Sequence, residues 1–360
     1  MSFHYSISSP SISDFQLGPF LIHFYALFIL LGIVVATIFA AGRLKERGMQ
    51  AGYAVDVAIW AVPFGIIGGR LFHVFTHFND YFGPGKDWTS MFKLWEGGLA
   101  IYGGIIFGAL GAYIACQVEI RPLRIKPVGI RFLSFADAVV PGLLAAQAIG
   151  RFGNYFNQEL FGAPTDLPWG LEIPSTNPFY PNGLPDGVTF HPTFLYEALW
   201  SILGIVVLLV LERFFNLRWG RMFASYLIWY GIGRFFIESI RLDPSDIFLG
   251  LRTNQWSAVL GALVGLTLLV VQSVKHTGKE LSGYLPGYPT QTYTKSNKPS
   301  FFASKTKSEE SSVEPDLNET EITTVQSNET AETLEKLEQA EDTSTNMQEN
   351  INNEESNEKS

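Results

Sequence analysis

Cysteine is nearly absent from this 360-residue chain: Cys116 stands alone, inside an apolar stretch. A single thiol excludes an intramolecular disulfide, and in that setting it packs as a small hydrophobe. Also missing are the glycine-rich phosphate loop and the Gly-Xaa-Ser-Xaa-Gly nucleophile elbow, which removes support for nucleotide and serine-hydrolase mechanisms. The six histidines show no HExxH or other zinc spacing, so no metal and no other cofactor is expected. The first 17 residues contain no Lys or Arg. A cleavable secretion signal starts with basic residues, so the first apolar segment is expected to stay in the mature protein.

Charge is scarce as well, at 16% of residues, and it is unevenly spread. Mean hydropathy is only +0.16 although 47% of residues are hydrophobic, because two unlike parts are averaged. Residues 281–360 hold 6 Lys/Arg against 16 Asp/Glu, a net of −10, which leaves +1 for residues 1–280 out of the total of −9. The second part cannot bury enough apolar surface to offset its ordering entropy, and is expected to be a disordered acidic tail. Residues 1–280 are expected to form one membrane domain. No nucleic-acid partner is expected.

Seven segments are long and apolar enough for a bilayer: residues 19–41, 54–75, 97–116, 132–149, 193–211, 222–240 and 255–274. The expected fold is therefore an all-α polytopic membrane protein with seven transmembrane helices. Arg43, Lys45 and Arg47 follow the first segment, Arg121, Arg124, Lys126 and Arg131 the third, and Arg213, Arg218 and Arg221 the fifth. The alternate loops are poorer in Lys and Arg, and the long one at 150–192 holds Arg151 alone. The positive-inside rule then puts the N-terminus outside and the tail in the cytoplasm.

That topology collects the unusual polar residues at the outer ends: Tyr25, Arg70, His73, Tyr102, His191, Tyr196, Glu197, Arg234, Glu238 and Arg241. The inner halves read as nearly featureless hydrocarbon. Polar groups near lipid are costly unless paired or hydrated, so their concentration on one side marks a site. The densest stretch is residues 150–162, GRFGNYFNQELFG, which carries Arg151, Asn154, Asn157, Gln158 and Glu159 and ends at Gly162. Arginine's planar fork suits a phosphate, and the phosphate at this level is a phospholipid headgroup. Arg70, Arg151, Arg234 and Arg241, beside Glu159, Glu197 and Glu238, suit that task better than mere snorkelling at the interface. A transporter needs polar access from both sides; a membrane scaffold without catalysis is the other alternative.

These residues also carry a resemblance. GRFGNYFNQELFG resembles the signature of the prolipoprotein diacylglyceryl transferase family. It is joined, in the family's order, by IHFYALFILLG at 22–32, GGR at 68–70, WEGGLAIYGG at 95–104, HPTFLYE at 191–197 and GRFFIESIR at 233–241. The resemblance covers residues 19–274. It implies an enzyme of the bacterial cytoplasmic membrane that moves a diacylglyceryl group from phosphatidylglycerol to the lipobox cysteine thiol of a prolipoprotein signal peptide. The products are a thioether and glycerol 1-phosphate. Matching position by position implies Arg151 and Arg234 on the lipid phosphate, and Asn154 and Tyr25 orienting the headgroup. It further implies Glu159 and Glu238 positioning the arginines, with Gly162, Arg70 and His191 lining the substrate site. Many family members carry histidine where this chain has Tyr102, and that histidine has been regarded as a candidate base for the thiol. An ordinary tyrosine titrates near about 10, so Tyr102 reads as a lining or hydrogen-bonding group, and the base stays unassigned.

Overall fold

The computed structural model describes residues 6–94, 97–121 and 124–288. The acidic tail expected over 281–360 lies, beyond Tyr288, outside the described residues. Eight α-helices are present among them: α1 (Phe24–Glu46), α2 (Tyr53–Thr76), the single-turn α3 (Phe78–Phe82), α4 (Ile101–Gln117), α5 (Phe132–Phe156), α6 (Thr193–Phe215), α7 (Arg221–Glu238) and α8 (Thr253–Lys275). The seven long ones fall on the seven apolar segments. Five of them, α1, α2, α5, α6 and α8, are long and apolar enough to cross a membrane. Of the other two, α4 is apolar but has 17 residues, and α7 holds Arg221, Arg234 and Glu238 within 18.

Two helix limits differ from the apolar segments, each for a local reason. Helix α1 starts late because Phe20–His23 forms strand β3, paired antiparallel with β2 (Asp14–Leu17). Helix α5 continues past Gly150 to Phe156, which makes the first half of the signature helical. Arg151 and Asn154 are then three residues apart and share a face.

The helices pair α2 with α4, α1 with α5, α7 with α8, α5 with α6, and α6 with α7. Close approach explains the small residues. A Cβ on Gly103 of α4 would lie 2.3 Å from the Gly68 carbonyl oxygen of α2, and one on Gly142 of α5 would lie 2.7 Å from the Ala36 carbonyl oxygen of α1. Packing without side chains between backbones is the usual membrane-helix solution. Between α6 and α7, Trp200 and Trp229 stack at 4.3 Å, and each indole N–H donates to the other's carbonyl at 3.1 Å. Helix α5 is the most enclosed of the long helices, whereas outward residues such as Leu30, Ile38, Ile59 and Leu260 are about 60% exposed. Apolar exposure on this scale fits a lipid surrounding, and the chain is a multi-pass membrane protein.

Beyond the helices lie short ladders that the all-α expectation did not contain. The connection from α5 to α6 holds β6 (Leu171–Glu172) and β7 (Thr189–Phe190), antiparallel, with β1 (Ile7–Ser8) added parallel to β6. This sheet has a core of its own in Phe161, Leu171, Ile173, Phe190 and Phe194. Strands β4 (Val118–Arg121) and β5 (Arg124–Pro127) pair between α4 and α5, and β8 (Ile247–Phe248) and β9 (Leu251–Arg252) form a hairpin between α7 and α8.

The helix ends expected to lie inside correct one expectation, for they are not featureless. Arg47, after α1, pairs with Asp137 of α5 at 3.4 Å and with Glu212 of α6 at 2.7 Å, and Arg43 also meets Glu212. Asp137 is fully buried, and its two oxygens accept from the backbone N–H groups of Gly220 (2.8 Å) and Phe223 (2.9 Å) at the start of α7. It caps a neighbouring helix, satisfying amides that have no intrahelical partner. The chain past α8 packs at this same end: Tyr284 is buried and bridges Ile130, and Arg131 N–H donates to the Gly283 carbonyl at 2.8 Å.

Candidate active site

At the opposite end, five helix termini bring the predicted residues together. Asn154 and Gly153, in the last turn of α5, meet the first turn of α1, where a Cβ on Gly153 would lie 2.6 Å from the Tyr25 ring. Tyr25 therefore lies beside the signature helix. Arg151 donates to Asn154 Oδ1 at 3.4 Å, and Asn154 Nδ2 donates to Glu159 Oε1 at 2.8 Å. Asn157 Nδ2 reaches the same oxygen at 3.3 Å. The backbone here turns sharply: Gln158 and Leu160 have φ of 51° and 59°. That left-handed geometry folds Glu159 back onto the helix end, where its N–H also donates to the Asn154 carbonyl at 3.1 Å.

Glu197, in the second turn of α6, is the meeting point of three arginines. Its Oε2 lies 2.7 Å from Arg151 Nη2, and its Oε1 lies 3.5 Å from Arg234 Nη1 and 3.8 Å from Arg241 Nη1. Arg234 also reaches Glu238 Oε2, at 2.8 Å. Glu238 ends α7 with 0% exposure, a state a carboxylate tolerates only when well paired. Its further partners are Arg241 (3.6 Å), Arg252 (3.1 Å) and Asn254 (2.9 Å). Asp243 receives Arg241 Nε at 2.7 Å and Arg252 Nη2 at 3.4 Å. Burial works against the charge on Arg241, but the hydrogen bond and charge of Asp243, with Glu238 and Glu197, hold its pKa above the ordinary value. The ion-paired ring sets four guanidiniums, Arg151, Arg234, Arg241 and Arg252, against three carboxylates, Glu197, Glu238 and Asp243. With Glu159 held beside Arg151 through Asn154, carboxylates and guanidiniums are equal in number, and what suits the cluster to a phosphate is the forked donors of its arginines.

Gly162 fastens this ring to the strand layer. Its N–H donates to the His191 carbonyl at 2.9 Å, and it bridges Arg241 in antiparallel fashion. A Cβ there would come within 2.8 Å of the His191 Cβ and 3.0 Å of the Ile240 carbonyl oxygen. His191 in turn has its Nδ1 3.1 Å from the Tyr196 hydroxyl, which accepts from Trp169 Nε1 at 3.0 Å. The hydroxyl hydrogen is then free to point at Nδ1, the tautomer that leaves Nε2 protonated.

Two predicted residues stand apart from the ring. Arg70 of α2 spends all five donors on backbone carbonyls: Nε on Met91 at 2.8 Å, Nη1 on Gly97 and on Gly98 at 3.1 Å, and Nη2 on Ser90 at 2.6 Å and Lys93 at 3.3 Å. Its guanidinium also lies 5.2 Å from the Tyr81 ring centre. Tyr102, in the first turn of α4, is 42% exposed, has the Phe72 ring 6.5 Å away, and makes no side-chain hydrogen bond among the described residues. Asp243, Arg252 and Asn254 were missed by sequence reasoning. Their signal was the alternation of charged residues in the short connector between the last two apolar segments. Among the described residues, no three His, Cys, Asp or Glu side chains group as metal ligands.

Comparison with known proteins agrees with this picture. A profile described as prolipoprotein diacylglyceryl transferase matches residues 13–271. A relative from Leifsonia xyli subsp. xyli, named phosphatidylglycerol–prolipoprotein diacylglyceryl transferase, is 52% identical over 276 residues, 75% of this chain and 80% of its own. Relatives of the same name from Streptomyces griseus subsp. griseus and Cutibacterium acnes are 46% and 45% identical, covering 76% and 79% of this chain and 80% and 93% of their own. With a match that spans the helical body and every residue of the ionic ring, the chain belongs to the prolipoprotein diacylglyceryl transferase family.

Proposed function

We propose that this enzyme transfers the diacylglyceryl group of phosphatidylglycerol to the lipobox cysteine thiol of prolipoproteins, a step of lipoprotein biosynthesis. The observation that carries the reading is the Arg151–Glu197–Arg234 cluster at one end of the helices. In the reaction the cysteine sulfur bonds to the terminal glycerol carbon of the diacylglyceryl group, and the bond from that carbon to the phosphate oxygen breaks. The oxygen leaves with the electron pair as glycerol 1-phosphate, and the thiol proton is released. The phosphodiester monoanion thus becomes a phosphomonoester able to carry a second charge. Arg151 and Arg234 hold the phosphate and stabilise that developing charge, a role in which preorganised donors contribute most. Asn154 and Tyr25 orient the headgroup, Glu159 and Glu238 fix the donors, and Gly162, Arg70 and His191 shape the surroundings. Tyr102 lines the approach and is not required as the base, since a thiol with an ordinary pKa of about 8.5 is eased toward ionisation by nearby guanidiniums.

In this reading all seven long helices cross the bacterial plasma membrane, with the N-terminus outside and the chain after α8 in the cytoplasm. The short α4 and the charged α7 are supported as spans by their packing against α2 and α8. The catalytic body is residues 1–280, surrounded by membrane lipids, with the signal peptide presenting its cysteine at the outer leaflet. The test is transfer from phosphatidylglycerol vesicles to a lipobox peptide by the purified chain, beside its Arg234→Lys variant. Lysine keeps the charge but cannot span Glu197 and Glu238 together, so transfer is expected in the unchanged chain and a loss of about 100-fold in the variant. No thioether product from the folded, unchanged chain overturns the proposal.

A further inference from the structure

The geometry points to Glu197 as a positioning residue that sets the spacing of the two phosphate-holding arginines. The inference rests on the function proposed above and goes beyond it, because it assigns a task to a carboxylate outside the phosphate-holding set. Arg151 comes from α5 and Arg234 from α7, and no ion pair or hydrogen bond joins them directly among the described residues. Glu197, on the intervening α6, touches both, with one oxygen turned to each. Two cations brought side by side repel, and a shared carboxylate offsets that repulsion while holding both forks at fixed angles. The side chain is 10% exposed, and Arg241 Nη1 lies 3.8 Å from the same oxygen that faces Arg234.

The asymmetry of the contacts tells what Glu197 does to each arginine. At 2.7 Å Arg151 makes the closest ion pair of Glu197, whereas Arg234, which donates to Glu197 at 3.5 Å, lies closer to Glu238, at 2.8 Å. Among the described residues Arg151 has one further side-chain partner, Asn154, to which it donates at 3.4 Å. Glu197 therefore governs the orientation of Arg151 and biases that of Arg234. Removing its charge frees the Arg151 fork and leaves two cations partly uncompensated. Phosphate binding then keeps its charge attraction but loses the geometry that serves the departing phosphate, so kcat should fall more than KM rises.

The experiment compares the full chain with Glu197→Gln and Glu197→Asp in nanodiscs containing phosphatidylglycerol, using a lipobox peptide as acceptor. Glutamine keeps shape without charge; aspartate keeps charge and shortens the reach by about 1.5 Å. Both variants are expected to lower kcat/KM by about 10- to 100-fold, mostly in kcat. Arg151→Lys is expected to cost at least several-fold less on the Glu197→Gln background than alone, because the two residues act as one unit. A loss of stability alone would lower the amount of active enzyme without producing that coupling, and Glu197→Asp supplies the same reading if Glu197→Gln does not fold. Full activity in a folded Glu197 variant, or additive losses in the double variant, overturns the inference while leaving the transferase reading intact. No transfer and no binding of short-chain phosphatidylglycerol by the unchanged chain overturns both.

Discussion

Replacing Asp137 with asparagine tests whether the Arg47–Asp137–Glu212 cluster stabilises the fold or merely tolerates a buried charge. Asparagine matches the shape but offers one acceptor oxygen where the carboxylate offers two. In the native chain those two oxygens take the N–H of Gly220 at 2.8 Å and of Phe223 at 2.9 Å, so one donor at the start of α7 would face an amide N–H₂ group. Losing a hydrogen bond to a charged acceptor costs about 1.5–3 kcal/mol. Arg47 loses its 3.4 Å contact to Asp137 but keeps Glu212 at 2.7 Å, which holds the further loss below the roughly 3–5 kcal/mol of an abandoned buried charge. The sum is a destabilisation of about 2–4 kcal/mol, or about 5–10 °C in Tm by the scaling of globular domains. Cys116 has 0% exposure, so its reaction with a fluorogenic maleimide during heating in detergent reports unfolding directly. If desolvation of the carboxylate outweighed its contacts, the neutral variant would melt higher. An unchanged or raised melting temperature therefore refutes the reasoning.

Two substitutions probe the end that carries the arginine ring. Gly162→Ala places a methyl group 2.8 Å from the His191 Cβ and 3.0 Å from the Ile240 carbonyl oxygen, neither of which is a flexible side-chain end. Overpacking of about 1–3 kcal/mol is expected, with the loss of transfer exceeding the loss of stability because the shift moves Arg241; thermal melts and transfer rates on one preparation check this. Tyr102→Phe removes a hydroxyl that makes no hydrogen bond among the described residues, and its transfer rate is expected within about twofold of the unchanged chain. A collapse of the rate across the pH range would instead give that hydroxyl a direct part in the chemistry.

Depth along the helices was legible in the sequence, and rotation about their axes was not. Helical rise converts residue number into level, so Arg151, Glu197, Arg234 and Glu238 could be placed at one level from charge and span limits alone. Arg70 and Tyr102 were assigned to that level by the same reasoning. Which way each side chain turns depends on the packed neighbours, and Arg70 donates to the carbonyls of Ser90, Met91, Lys93, Gly97 and Gly98 instead of joining the ring. The Asp137 cluster was missed for a related reason. One aspartate in an apolar segment carries no periodic signal, and its partners lie 90 residues before it and 83 and 86 residues after it. The sheet that covers the α5–α6 connection was hidden because its strands are two residues long and pair across distant parts of the chain.

The two ionic clusters on α5 also act as a ruler. Asp137 and Arg151 are 14 residues apart on one helix, about 21 Å of rise, whereas the hydrocarbon of a typical bilayer is about 30 Å thick. Both clusters cannot sit at the headgroup level of an undisturbed membrane. Helix α5 is the most enclosed of the long helices, so charges that fall short of a headgroup plane are housed by their ion pairs inside the protein, and a headgroup that reaches Arg151 has to enter between the helices. A phospholipid that has to give up its phosphate would then meet the arginines below the ordinary membrane surface, already partly lifted out of the order of its neighbours.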